Sequence, residues 1–271
     1  MKSKSPVNES PELSTTQQDG ILRCVLNRPQ ALNALTPTLL LSLSETVGSA
    51  AVDPSIRLIT IQGAGDRAFS AGFDIKVLSA FNAEVVREDP MEQAINALVC
   101  CAKPTLAVIQ GYCLGAGLDL ALACDFRLAT ADAQFAIPAI KLGTVYKPRS
   151  IARIQQILGV TVTKELFVTG RQFAGDSAVC AGIVQELVSS KKELASAVQG
   201  WSAIPPDGLA AAIAHKRIID AISASPDRDN NFWTPLEALR DASVSGNARR
   251  EALDRFVSAR GKQQKERGDL K

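Results

Sequence analysis

Apolar positions along the chain recur with two periods, and the change from one to the other marks out its elements. The first eighteen residues, Met1 to Gln18, are mostly Ser, Pro, Glu, Gln and Thr, and predict a flexible tail. From Gly20 the pattern becomes regular. Ile21 to Leu26 reads as a strand, and Asn27-Arg28-Pro29 as the turn that ends it. Leu39 to Ala51 has helical spacing, with Thr36 as N-cap and Pro37 in the first turn. Three further strands follow at Ile56 to Gln62, Pro104 to Ile109 and Asp125 to Thr130. Helical stretches at Glu92 to Cys101 and Leu118 to Cys124 lie between them. Strand and helix thus alternate over about the first 190 residues, which predicts an α/β class. Beyond that the strand signal stops. Leu209 to Ile222, Thr234 to Ser243 and Ala248 to Arg260 all read as helices. The expected organisation is a tail over 1–18, an α/β core over 19–200 and a helical region over 201–271.

Composition narrows the class. The 271 residues are 46% hydrophobic and 21% charged, ample for a packed core. Thirty Lys and Arg against 28 Asp and Glu leave a formal charge of +2, so no global field recruits nucleic acid or an anionic membrane. Met1 to Gln18 lacks the apolar centre of a secretory leader, and no apolar run approaches the ~18 residues of a membrane helix. The six cysteines (24, 100, 101, 113, 124 and 180) form neither a CxxC pair nor a zinc-site spacing. A reducing, cytoplasmic home with no resident metal is expected. Cys113 and Cys124 sit in apolar runs and read as packing residues rather than nucleophiles.

The single histidine, His215, lies in the helical run AAIAHKRII and reads as structural. Its position removes the commonest general base, so carboxylates, tyrosine or backbone groups must carry any catalysis. Two small-residue loops are the candidates. One is Ala68-Phe69-Ser70-Ala71-Gly72-Phe73-Asp74-Ile75-Lys76; the other runs from Gly111 through Gly115, Ala116 and Gly117 to Asp119. Neither is a nucleotide fingerprint. Brought together, their backbone N–H groups would form an oxyanion hole for a thioester or ester enolate. Taken singly, each also reads as tight helix–strand packing through glycine.

The runs NRPQALNAL (27–35), AFSAGFDIK (68–76) and KPTLAVIQGYCLGAGLDLALACDFRLAT (103–130) resemble, in this order and spacing, the enoyl-CoA hydratase/isomerase (crotonase) superfamily. FAIPAIKLG (135–143) and TGRQFAGDSAVCAGIVQELV (169–188) extend the resemblance, which covers about residues 18–260. It implies a crotonase-like spiral of ββα turns with a C-terminal helical region that supports a homotrimer or a dimer of trimers. It also implies an oxyanion hole at Phe73 and Ala116. CoA would lie along Ala71, Phe73, Asp74, Ile75 and Lys76, with Arg28 of the Asn-Arg-Pro segment at the same site. CoA would enter as part of the acyl-CoA substrate, and no separate cofactor is implied.

The sequence departs from the hydratase pattern at three places. Asp119 stands where the family's first catalytic glutamate falls, and Ala139 where the second does. The glycine-rich segment after Leu142-Gly143-Thr144 is replaced by Val145 to Ser150. Tyr146 in this segment resembles the tyrosine of the acyl-CoA decarboxylase branch; it can orient a carboxylate or donate a proton, or pack on the pocket wall. Lys147 and Arg149 read as solvated surface residues, and Glu92 as a reserve acid. The expectation is an acyl-CoA enzyme working through an enolate, with Asp119 as general acid/base and Tyr146 as auxiliary donor. With one carboxylate lost, isomerase- or decarboxylase/lyase-type chemistry is at least as favoured as hydration, and a non-catalytic acyl-CoA binder is the alternative.

Overall fold

The structure is a computed structural model, and it describes residues 12–74, 89–225, 230–244, 249–251 and 254–255. By contact the chain divides into two compact units, Met1–Cys101 with Thr105–Ser202, and Ala102–Pro104 with Ala203–Lys271.

The first unit opens with a correction. Part of the expected tail is a strand: β1 (Leu13–Gln18) pairs antiparallel with β2 (Ile21–Leu26), Leu13 opposite Leu26 and Gln18 opposite Ile21. Asp19 and Gly20 join them at φ of 52° and 78°, the left-handed backbone of a two-residue hairpin that favours Asp-Gly. β1 runs from buried Leu13 to exposed glutamines, and its polarity is that of a solvated strand. A short 3-10 turn (Pro29–Ala31) leads to α1 (Pro37–Val52). The Thr36 hydroxyl accepts from Leu39 N–H at 3.1 Å, a cap typically worth ~1 kcal/mol. Leu39, Leu43, Val47 and Ala50 bury one face of this helix.

The spiral then begins. Each turn supplies one strand to a large sheet and one to a small sheet. The first turn is β3 (Leu58–Gly63), β4 (Ala68–Ser70) and α2 (Pro90–Val99). The second is β5 (Thr105–Ile109), β6 (Tyr112–Leu114) and α3 (Ala116–Leu122). The third is β7 (Phe126–Thr130), β8 (Gln134–Ala136) and α4 (Ala139–Leu142), followed by α5 (Pro148–Lys164). β9 (Phe173–Ala174), α6 (Gly175–Cys180), β10 (Glu186–Val188) and α7 (Lys191–Trp201) close the unit. The large sheet has the order β1-β2-β3-β5-β7-β10, parallel from β2 onward; the small one is β4-β6-β8-β9.

The parallel strands are buried on both faces, as their near-continuous apolar runs require. Leu22, Cys24, Leu26, Ile59, Ile61, Ala107 and Ile109 face the main core with α1 and α2. Ile21, Leu58, Leu106, Val108 and Leu128 face Leu194 and Val198 of α7. Arg127 is 4% exposed yet satisfied: its Nε donates to Ile183 O at 2.7 Å and its Nη1 to Cys124 O at 3.0 Å. The second unit contains α8 (Leu209–Ala224) and α9 (Asn230–Val244), which pack against each other. Most of the third helix expected in this region, Ala248 to Arg260, lies outside the described residues. Among the described residues no helix is long and apolar enough to cross a membrane.

Candidate active site

The loop after β4 is built by the segment that precedes α1. Asn33, at φ 55°, donates from Nδ2 to Ala68 O at 2.8 Å and to Ala64 O at 2.9 Å. Its Oδ1 accepts from Arg28 N–H at 3.1 Å. Ala71 N–H donates to Leu32 O at 2.9 Å, Leu35 N–H to Gly72 O at 2.8 Å and Asp74 N–H to Leu35 O at 3.0 Å. These bonds make a parallel bridge between Leu35 and Phe73, in which the N–H of Phe73 itself points away from Leu35.

The side chain of Arg28 locks the loop in place. Its Nη2 pairs with Asp74 at 2.8 Å, its Nε with Glu12 at 3.0 Å, and its Nη1 donates to Ala34 O at 2.7 Å. The run NRPQALNAL therefore works as a brace beneath the first loop. The family resemblance implies CoA contacts for Arg28 and Asp74; in the structure the two pair with each other. Ile75 and Lys76 lie outside the described residues.

The second loop meets the first through glycine. Gly72 sits at φ 97°, and a Cβ there would come within 3.0 Å of Leu114 O and 3.3 Å of Ala116 N. Gly117 in the first turn of α3 lets the helix start settle on β4: a Cβ would lie 2.7 Å from Ser70 O. Ala116 opens α3, so its N–H has no intrahelical partner. Among the described residues neither Phe73 N–H nor Ala116 N–H donates to a backbone carbonyl. The two loops that were only candidates in sequence are in contact in space.

Asp119 lies one helical turn beyond Ala116 and is 2% exposed. Its carboxylate is held by Arg153 of α5 through Nη2–Oδ1, and Arg153 Nη1 also donates to Asp119 O at 3.3 Å. Burial pushes the Asp119 carboxyl above the ordinary range; Arg153 and the Ser150 hydroxyl act against this, and the nearby charge of Glu92 adds to it. Sequence reading missed Arg153 and Ser150. Ser150, Ile154 and Leu158 form the buried stripe of α5, with Arg153 beside it. That spacing was the available signal, but it does not say what the arginine would meet.

Tyr146 packs edge-on to Phe167, centroids 5.1 Å apart, and its hydroxyl lies 3.3 Å from where a Cβ on Gly115 would be. Burial, and secondarily the charge of Asp119, raises its pKa, so it is a proton-bearing phenol at neutral pH. The pocket-wall and donor readings of Tyr146 thus meet at one place. Beside it, exposed Lys147 pairs with Asp89 at the start of α2, and Arg149 is exposed. Ala139 begins α4, is 4% exposed and brings no polar side chain. Cys113 is fully buried, and burial pushes its thiol up. His215 is exposed on α8. No grouping of His, Cys, Asp and Glu among the described residues could hold a metal ion.

The architecture places the chain in a fold class. It aligns with an enoyl-CoA hydratase of Bacillus anthracis at TM-score 0.81 and 26% identity, over 92% of this chain and 96% of that one. An enoyl-CoA hydratase/carnithine racemase of Magnetospirillum magneticum aligns at TM-score 0.82 and 25% identity, over 93% and 94%. The chain has the crotonase fold.

The family follows from the sequence match. The enoyl-CoA hydratase/isomerase family model covers residues 16–263, and the chain belongs to that family. Its curated relatives differ in chemistry. A crotonyl-CoA hydratase of Syntrophomonas wolfei is 33% identical over 62% of this chain and 66% of its own length. The peroxisomal Delta(3,5)-Delta(2,4)-dienoyl-CoA isomerase of Arabidopsis thaliana is 32% identical over 66% and 69%. A carnitinyl-CoA dehydratase of Salmonella typhi is 32% identical over 80% and 83%.

Proposed function

We propose that the protein moves a proton on an acyl-CoA thioester, through an enolate whose oxygen is held between Phe73 N–H and Ala116 N–H. One observation carries this reading: Gly72 brings the first loop against Ala116 N, with the buried Asp119 one turn further on. Two backbone donors aimed at one point stabilise charge that develops there and need no reorganisation. Asp119 as carboxylate takes a proton from carbon, and as acid returns it to another. A pKa raised by burial brings such a group closer to neutral, where a general acid/base works best. Arg153 and Ser150 orient it, and Tyr146 is the auxiliary donor at the mouth of the second loop.

Ala139 bears on the reaction type. It offers no second carboxylate to position a water, so isomerase- or decarboxylase/lyase-type chemistry is at least as favoured as hydration. The Arabidopsis relative, a dienoyl-CoA isomerase, supports the first of these. CoA contacts fall to Ala71, Phe73, Asp74, Ile75 and Lys76, with Arg28 fixing Asp74. The C-terminal helices support a trimer or pair of trimers, in a reducing aqueous compartment that suits six cysteines with no disulfide among the described residues.

A panel of acyl-CoA thioesters followed by mass spectrometry tests the reading. Asp119→Asn should keep thioester affinity and lose turnover by a factor of ~10²–10⁴. Wild-type turnover in that variant would move the chemistry elsewhere. A second reading has its own observation. The carboxylate of Asp119 is already engaged by Arg153, as in an acyl-CoA binder that has lost its chemistry. Tight thioester binding with no turnover of any panel member would establish that alternative.

A further inference from the structure

A second cavity, of about 490 Å³, opens on the opposite face of the large sheet from the loops just described. Side chains of β2 alternate between the two faces. Leu22, Cys24 and Leu26 point to the main core, against which Phe73 and Tyr146 also pack. Arg23 and Val25 point the other way, and line this cavity at the carboxyl ends of the parallel strands, a recurrent place for ligands in α/β folds. Its volume lies within the usual range of small-molecule sites, roughly 300–1,000 Å³.

The lining has two chemical halves. Val25, Val108, Leu194 and Val198 make an apolar floor where α7 crosses the sheet. Arg23, Lys191, Gln62 and Gln110 supply donors around it, and none of the described lining residues is acidic. Arg23 is half-buried, and its guanidinium makes no hydrogen bond or ion pair with any described residue. The Gln62 amide is likewise unengaged. Among the described residues Lys191 Nζ reaches only Gly65 O, at 3.1 Å, and shares that carbonyl with Gln110 Nε2, which leaves its other N–H groups available for a ligand. A guanidinium half out of water with no counter-charge is an incomplete arrangement. An anion completes it with charge-assisted hydrogen bonds.

We propose that this cavity binds a small amphipathic carboxylate, its head on Arg23 and Lys191 and its aliphatic body on the valine and leucine floor. The proposal is independent of the acyl-CoA reading, because none of the residues given to the oxyanion hole, the acid/base or the CoA contacts lines the cavity. It needs both halves of the ligand: inorganic phosphate lacks the body, and an alcohol lacks the charge.

Octanoate titrated into the full-length protein by calorimetry tests it. Saturable binding of one octanoate per chain is expected, with octanol and inorganic phosphate at least about tenfold weaker, the scale of one charge-assisted contact. Arg23→Gln should weaken octanoate by about tenfold or more, and Ala195→Trp, which fills the cavity from α7, by a similar factor. Unchanged urea midpoints would show that both variants are folded. Butyryl-CoA at saturation should leave octanoate affinity unchanged, and neither variant should alter butyryl-CoA affinity. Absence of saturation, equal affinity for octanol, displacement by butyryl-CoA, or wild-type octanoate binding in both variants would overturn the proposal. Failure of every panel thioester to bind would remove the acyl-CoA reading and leave this one standing.

Discussion

Arg153→Met isolates the pair at the centre of the candidate site. The Arg153 and Asp119 side chains are 16% and 3% exposed, so their interaction is little screened by solvent. Removing the guanidinium leaves a buried carboxylate with the Ser150 hydroxyl as its remaining stabilising side chain among the described residues, while burial and the charge of Glu92 still oppose ionisation. An uncompensated buried charge of this kind costs roughly 3–5 kcal/mol, a large part of the 5–15 kcal/mol that holds a typical domain folded.

The penalty depends on pH, and its sign follows from the direction of the shift. A carboxyl whose folded pKa is raised binds its proton more tightly in the native state than in the unfolded chain. Its contribution to stability is therefore full below the unfolded value, about 3.9, and is lost as pH rises through the folded value. In the wild type Arg153 limits that loss; without it the folded value rises further and the loss extends to higher pH. Urea denaturation at pH 5 and pH 8 should thus show a difference between wild type and Arg153→Met that widens toward pH 8. Adding Asp119→Asn, which removes the charge, should restore most of the stability at pH 8. The acidic limb of the rate profile should move to higher pH in Arg153→Met. An equal stability loss at both pH values, together with no recovery in the double variant, would refute the argument.

Gly72→Ala should lose turnover while the fold persists, because the residue sits at φ 97° with Leu114 O and Ala116 N behind it; forcing a side chain there costs about 1–3 kcal/mol and pushes the two N–H groups apart. Its urea midpoint and acyl-CoA turnover measure the two effects separately. Crotonyl-CoA hydration, followed by absorbance, should stay well below the ~10 s⁻¹ enzyme median, because Ala139 offers no carboxylate to hold the water. Light scattering at micromolar concentration should give a multiple of three chains, and a species at the single-chain mass of 28.8 kDa would count against the proposed assembly.

Where an element was long and its faces differed, sequence alone was enough. Ile21 to Leu26 is the strand its alternation predicts, and Thr36 caps the helix that Pro37 begins. Those elements follow from local preferences that a few neighbouring residues express together. The motif order carried the superfamily, because five runs in register are far more specific than any one of them. β1 is not legible in the sequence because an edge strand with one solvated face looks polar, and the Asp19-Gly20 turn is its one local signal. The small sheet was also invisible. Three residues at Ala68–Ser70, Tyr112–Leu114 or Gln134–Ala136 are too few to show a period, and they become strands only by pairing with one another.

The site divides along the same line. Sequence supplied the two loops and Asp119, since backbone donors and a helix-borne acid belong to contiguous segments. Contact between Gly72 and Ala116, the ion pair of Arg28 with Asp74 across 46 positions, and that of Arg153 with Asp119 across 34 were settled only by the packed chain. The partner of a buried charge is whichever group the fold places beside it, and nothing in the spacing of either segment specifies that meeting. The protonation of Asp119 depends on this partner and on burial, so its chemistry is a property of the tertiary structure.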